Sequence, residues 1–266
     1  MKKGVMGEVL PLQSVSGFMK NHFRIAIEHV GDEHYPFTVS DLLDPSARST
    51  IFDLQAAQLG HPNLQVVGTL FAKRYSVLFT GLIASMDLFD YPLSSSLSDM
   101  RFRIIERAAM EYQAIPASSE LLPYTDLQER KEKRTEYSQQ LRRSTEALFR
   151  SVSAQTGVSP KVMWSLVAHQ LRQYYARLQN ARDLEVPAER LSLALAEQGI
   201  LMAQGNDNPL ALHLRSVSHP LYPDTRIYVR RYCCMAFKIK QHGYCSTCPG
   251  VSETERLKML FGEKRS

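Results

Sequence analysis

All the cysteine in this 266-residue chain falls within sixteen positions, as Cys233, Cys234, Cys245 and Cys248. Four thiols held so close by covalent spacing restrict what the segment around them can become, and three chemistries are open to them. Structural disulfides fit poorly in a reducing compartment, and adjacent cysteines joined to each other close a strained ring. A zinc ribbon draws its ligands from two short C-x(2–4)-C knuckles. Cys245-Ser-Thr-Cys248 is such a knuckle, but Cys233-Cys234 is not. An iron–sulfur cluster also takes four thiolates, and the extent of two irons relaxes the demand that all four sulfurs meet at one point.

The segment leading into the cysteines alternates with period two. Ile227, Val229, Cys233, Met235 and Phe237 share one parity with Arg231, while Arg226, Tyr228, Arg230, Tyr232 and Cys234 share the other. The pattern predicts a strand over 226–232. Adjacent residues of a strand point to opposite faces, so the strand must end, bulge or turn near Cys233-Cys234 if both sulfurs serve one centre. On this parity Arg226, Arg230 and Tyr232 form a candidate substrate-binding face for an anionic ligand, and Arg231 is directed inward or toward the cysteines.

Elsewhere the chain reads as helix. Val67, Phe71, Tyr75, Leu78 and Leu82 mark one face of a long, largely buried helix after Pro62. Phe18 to Val30 carries a helical period. Thr125 and Gln128 stand in capping-box spacing before a charged helix in which Glu129 to Arg134 reads as a solvated face. Gly157 ends that helix, Ser159-Pro160 starts the next, and Met163, Leu166, Val167, Leu171, Tyr174 and Leu178 line its buried side with Trp164 in the core. A further helix closes at Gly199. Met100 to Arg107 alternates partly, as a strand does. Ser252 and Glu255 predict a cap for a short final helix. The fold class expected is α+β: a mainly helical body, 1–222, with a small sheet, and a cysteine-bearing C-terminal segment, 223–266.

The first residues lack the uninterrupted apolar stretch of a signal peptide, and the longest uncharged apolar run, Tyr75 to Met86, is too short to span a bilayer. These features predict a soluble cytoplasmic protein with no membrane span. The net charge of +5 has no long basic run behind it, so no nucleic-acid partner is expected. Neither a G-x-G-x-x-G nor a Walker-type glycine loop is present, which leaves no nicotinamide, flavin or nucleotide site. The histidines show no metal-binding spacing, and His242, inside the cysteine loop, is read as solvent-exposed.

The pattern C-C-x10-C-x2-C followed by Pro249 and preceded by Arg230-Arg231 resembles the ferric iron reductase family typified by FhuF. The resemblance rests on about twenty residues; the upstream helix resembles the family only loosely, and siderophore synthetases equally. It implies a [2Fe–2S] cluster on Cys233, Cys234, Cys245 and Cys248, which then serve as both metal ligands and redox centre. It implies a cytoplasmic oxidoreductase that reduces a ferric siderophore by one electron and releases Fe(II) for iron assimilation. With no flavin or nicotinamide motif, the electron must come from a protein donor such as a flavodoxin, a ferredoxin or a ferredoxin reductase. The alternative is a non-catalytic binding protein with a structural four-cysteine zinc site.

Overall fold

The computed structural model describes residues 12–28, 31–117, 127–179, 186–205, 208–218, 226–240 and 242–262. Its elements run α1 (Leu12–Phe23), β1 (Ile25–Ala26), β2 (Phe37–Thr38), α2 (Pro45–Gln58), α3 (Leu64–Phe89), β3 (Met100–Ile105), β4 (Ala109–Ala114), α4 (Leu127–Thr156), α5 (Pro160–Gln179), α6 (Ala188–Leu201), β5 (Ser216–Ser218), β6 (Arg226–Tyr228) and α7 (Glu253–Phe261). The α+β class is as expected: mainly helical, with a four-stranded mixed sheet and a two-stranded one.

α3 is the axis. Asn63 caps its start by accepting the Gln65 amide, and Asp90 ends it in the left-handed conformation. Between them Val67, Phe71, Tyr75, Leu78 and Leu82 are fully buried, each worth about 1.5–3 kcal/mol if aliphatic or phenyl. α1, α2, α4, α5 and α6 all pack on this one helix. By length and composition it could cross a membrane, but 83% of its most apolar window is covered by the rest of the protein, so it is a core helix. Glycines let its neighbours come close. A Cβ on Gly68 would lie 2.5 Å from Thr156 Oγ1 of α4, and one on Gly81 would lie 2.4 Å from Ile25 Cδ1 of β1. Edge-to-face rings carry the packing outward, from Phe52 to Phe71, from Tyr75 to Phe149, and from Phe149 and Phe79 to Trp164.

The larger sheet has the order β1-β4-β3-β2, with β1 parallel to β4 (Ile25 opposite Tyr112) and the other pairs antiparallel. The helix expected over 18–30 therefore stops at Phe23. Arg24 takes φ 57°, and Ile25–Ala26 pair with β4 instead of continuing the helix. Gly199 does not close α6, which runs on to Leu201. Gly157 ends α4 as expected, at φ +68°. The Thr125 cap lies outside the described residues.

The charged start of α4 is a solvated face only in part: Lys131, Glu132 and Lys133 are exposed as expected, but its two arginines turn inward. Arg130 is fully buried and Arg134 nearly so. Arg130 Nε donates to Asp90 at 2.5 Å, Nη2 to the Asp87 carbonyl at 2.9 Å, and Nη1 to Glu197. Arg134 Nε donates to Asp87 Oδ1 at 2.7 Å, and the Tyr175 hydroxyl donates to Asp87 Oδ2 at 2.6 Å. Arg190 completes the group on Asp90. Carboxylates at the end of α3 thus tie together α4, α5 and α6. A buried charge costs several kcal/mol unless it is paired, so each member depends on the others.

α5 carries the link to the C-terminal segment. Its His169 Nε2 and Gln173 Nε2 donate to the Tyr228 carbonyl at 2.9 and 3.1 Å, which fixes the end of β6. Burial holds the His169 imidazole down at about 4, against the pull of the carbonyl, with Arg230, Lys73 and Arg177 adding to the depression.

Two outcomes follow. Arg130→Met removes one buried arginine from Asp90, which keeps Arg190, and from Glu197, which keeps Arg134, and urea unfolding should report a loss of about 3 kcal/mol. His169 is neutral when folded but takes a proton near pH 6.5 when unfolded. The stability it confers is therefore present above pH 6.5 and drains away as pH falls toward 4, by roughly 3 kcal/mol in all. In His169→Gln the unfolding free energy should lose that part of its pH dependence; a slope identical to the parent's between pH 6.5 and 4 would refute the assignment.

Candidate metal centre

The chain reaches the cysteines by leaving its sheet. β6 pairs with β5 only through Tyr228 (Ser216 opposite Tyr228, Val217 opposite Ile227). The Val229 amide then donates to the Arg215 carbonyl, and the Arg230 amide to the Thr247 carbonyl, 3.0 Å away in the cysteine knuckle. The strand is thus shorter than the alternation predicts, and no regular β geometry runs through Cys233-Cys234. Met235 takes φ 57°, and a single 3₁₀ turn, Ala236–Lys238, follows.

Each half of the cysteine set is held from outside itself. Thr69 Oγ1, on α3, donates to the Cys234 carbonyl at 2.9 Å in a buried contact. The knuckle closes with the Cys248 amide on the Cys245 carbonyl at 2.9 Å. It is gripped by Arg256, fully buried, whose guanidinium donates to the carbonyls of Ser246, Cys248 and Val251. α7 delivers that arginine, capped by Ser252, which accepts the Glu255 amide as its spacing predicts.

All four thiols are free and line one small cavity, together with Lys73, Phe237, His242 and Tyr244. Cys233 and Cys248 are 3.5 Å apart, sulfur to sulfur. Cys234 and Cys248 are buried, while Cys233 and Cys245 are half-buried, so the cavity is reached from one side. Tyr244 stacks on Phe237 at 4.5 Å in its lining. Among the described residues no three His, Cys, Asp or Glu side chains converge to hold a single metal ion. Four soft donors around one cavity are the donor set of a metal–thiolate centre, whether zinc or iron–sulfur.

Electrostatics agree with an anionic occupant. Arg230 is 4% exposed, and its Nη2 donates to Cys245 Sγ. No carboxylate pairs with it among the described residues. A guanidinium buried beside thiols with no carboxylate needs negative charge from the sulfur side, which thiolates on a cluster would provide. Burial alone would raise the Cys234 thiol, but Arg230 and Lys73 bring it below the ordinary range. Burial pushes Cys233 up to about 11, the Met235 amide opposing and Cys248 adding to the rise.

The arginines expected on one substrate face are separated. Arg226 is exposed beside Ser216, Tyr232 is at the surface, and Arg230 is turned inward onto Cys245. Arg231, expected inward, is exposed, with its guanidinium 5.9 Å from the Tyr232 ring centre. The parity argument fails because the strand on which it depends ends at Tyr228. His242 is exposed, as expected. Thr69, His169, Gln173 and Arg256 were not found from sequence. Thr69 and Arg256 act on backbone carbonyls of the cysteine segment and His169 and Gln173 on the strand before it, a role with no side-chain motif.

No curated protein matches the chain. The family described as the FhuF 2Fe-2S C-terminal domain matches residues 230–249, the stretch that contains the four cysteines, Arg230 and the knuckle. That segment is similar to the FhuF-type C-terminal domain, with its four cysteines in the motif, and the match supports a [2Fe–2S] cluster as its cofactor.

Proposed function

We propose that the protein is a cytoplasmic ferric siderophore reductase. The observation behind this reading is the set of four free thiols around one cavity, beside a buried guanidinium with no carboxylate partner, inside the segment that matches the FhuF cluster domain. Cys233, Cys234, Cys245 and Cys248 are the ligands. The body, 1–222, positions the substrate, and 223–266 carries the redox centre.

When bound, the [2Fe–2S] cluster supplies a one-electron reductant whose potential depends on its hydrogen bonds and exposure. The residues around it set those conditions. Arg230 supplies a fixed positive charge and an N–H donor to Cys245. Thr69 and Arg256 fix the backbone on both sides, so the four sulfurs need little rearrangement. Phe237 and Tyr244 add a stacked aromatic pair to the cavity wall. The ferric chelate gains one electron, and the hard oxygen donors that hold Fe(III) hold the resulting Fe(II) far less tightly, so reduction is the release step.

The electron comes from a protein donor, such as a flavodoxin, a ferredoxin or a ferredoxin reductase. From Arg226 to Gly250 the chain has no Asp or Glu, and Arg231, Lys238 and Lys240 are exposed there. Such a surface favours encounter with an acidic carrier.

Anaerobically purified protein should be brown and contain two irons and two inorganic sulfides per chain. Cys245→Ser should lose most of both, together with the visible absorption. A colourless parent carrying one zinc would replace this reading with the structural-zinc alternative, and a Cys245→Ser chain that kept its iron would remove that residue from the ligand set.

A further inference from the structure

A second cavity, of about 400 Å³, lies behind the cysteine knuckle. Its walls include His213 and Arg215, from the segment entering β5, Arg230 and Arg231, from the chain leaving β6, and Pro249, the residue after Cys248. The Val229 amide on the Arg215 carbonyl holds the two arginine-bearing strands side by side. That volume is within the range of small-molecule sites.

Its chemistry is one-sided. Three arginines and a histidine line it, and no carboxylate does among the described residues. Arg215 and Arg231 stand exposed at its rim. Arg230 is the buried one, and while its Nη2 is engaged by Cys245, the N–H groups on Nε and Nη1 have no partner among the described residues. Buried donors without acceptors cost about 1–3 kcal/mol each, more for a charged group, and a bound oxyanion would recover that cost. Guanidinium groups match carboxylate oxygens through paired N–H donors.

We infer that this cavity takes the carboxylate groups of an anionic ferric chelate, with Arg215 and Arg231 at its rim and Arg230 at its floor. The inference rests on the reductase reading and narrows its substrate to a charge class. Arg230 then touches the bound anion on one side and Cys245 on the other, so the ferric centre is brought to the knuckle side of the redox site. The open side of the cysteine cavity, with Lys73 and Tyr244, is left for the donor. The two partners would not compete for one surface.

Gallium(III) dicitrate, an anionic and redox-inert stand-in, tests this by calorimetry on the cluster-bearing full chain. It should bind the parent, and Arg215→Ala/Arg231→Ala, which changes only exposed side chains, should raise its dissociation constant tenfold or more. Affinity for a neutral gallium trihydroxamate should change less than twofold, and Lys161→Ala on α5 should leave both unchanged. Added salt should weaken binding of the anionic probe alone. Equal affinity of parent and double variant for gallium dicitrate would overturn the inference, as would its displacement by inorganic phosphate at equal concentration. Iron and sulfide measured on the same samples separate the two levels: a chain with its cluster that fails to bind removes the cavity alone, and a chain without iron removes the reductase reading itself.

Discussion

Burial of α3 over most of its surface is the constraint from which the rest of this structure follows. A helix with so little face left for water depends on its neighbours being packed around it. Five helices and the sheet satisfy that requirement. The same helix then reaches beyond the core at two points. Asp87 and Asp90, at its C-terminal end, organise the arginines of α4 and α6. Thr69, one turn from its start, holds the Cys234 carbonyl. The cysteine segment is therefore anchored to the helix at the centre of the core. Cys234 and Ala236 are counted within the same continuous core as α3 itself.

Three of the guanidiniums buried among the described residues, those of Arg130, Arg256 and Arg230, are settled in different ways. Arg130 is matched by carboxylates, Arg256 by three backbone carbonyls, and Arg230 by a thiol. The first arrangement neutralises charge and joins helices. The second leaves the positive charge in place and uses it to shape a loop. The third leaves the charge in place next to groups that become anionic on binding metal. Net positive charge thus accumulates around the cysteines, from Arg230, Arg256 and Lys73, while the helical body compensates its own. A reduced cluster is more negative than an oxidised one, and a positive surround of this kind favours the extra electron.

Much of this could be read from the sequence, and the limits have physical causes. The stripes Val67 to Leu82 and Met163 to Leu178 were legible because a buried helix repeats its apolar face every 3.6 residues. The cysteine spacing was legible because covalent proximity of four thiols leaves few chemistries. Arg130 and Arg134 were not, since charged residues at helical spacing look alike whether they face solvent or partners contributed by distant segments. Arg230 and Arg231 exchanged their expected places because a two-residue period holds only while the strand lasts, and this one ends two residues before them. Nothing in the spacing of the short final helix singles out Arg256; only the folded chain brings three carbonyls to its guanidinium.

The bond between Thr69 and Cys234 spans 165 positions of sequence. Synthesis proceeds from the N-terminus, and folding units form as they emerge. The surface that receives the cysteines is therefore made long before the cysteines themselves. During that interval α3 and α5 can pack while no thiol yet exists to be oxidised or to capture the wrong metal. Loading of the cofactor therefore cannot begin until the helix that holds Cys234 has long been synthesised.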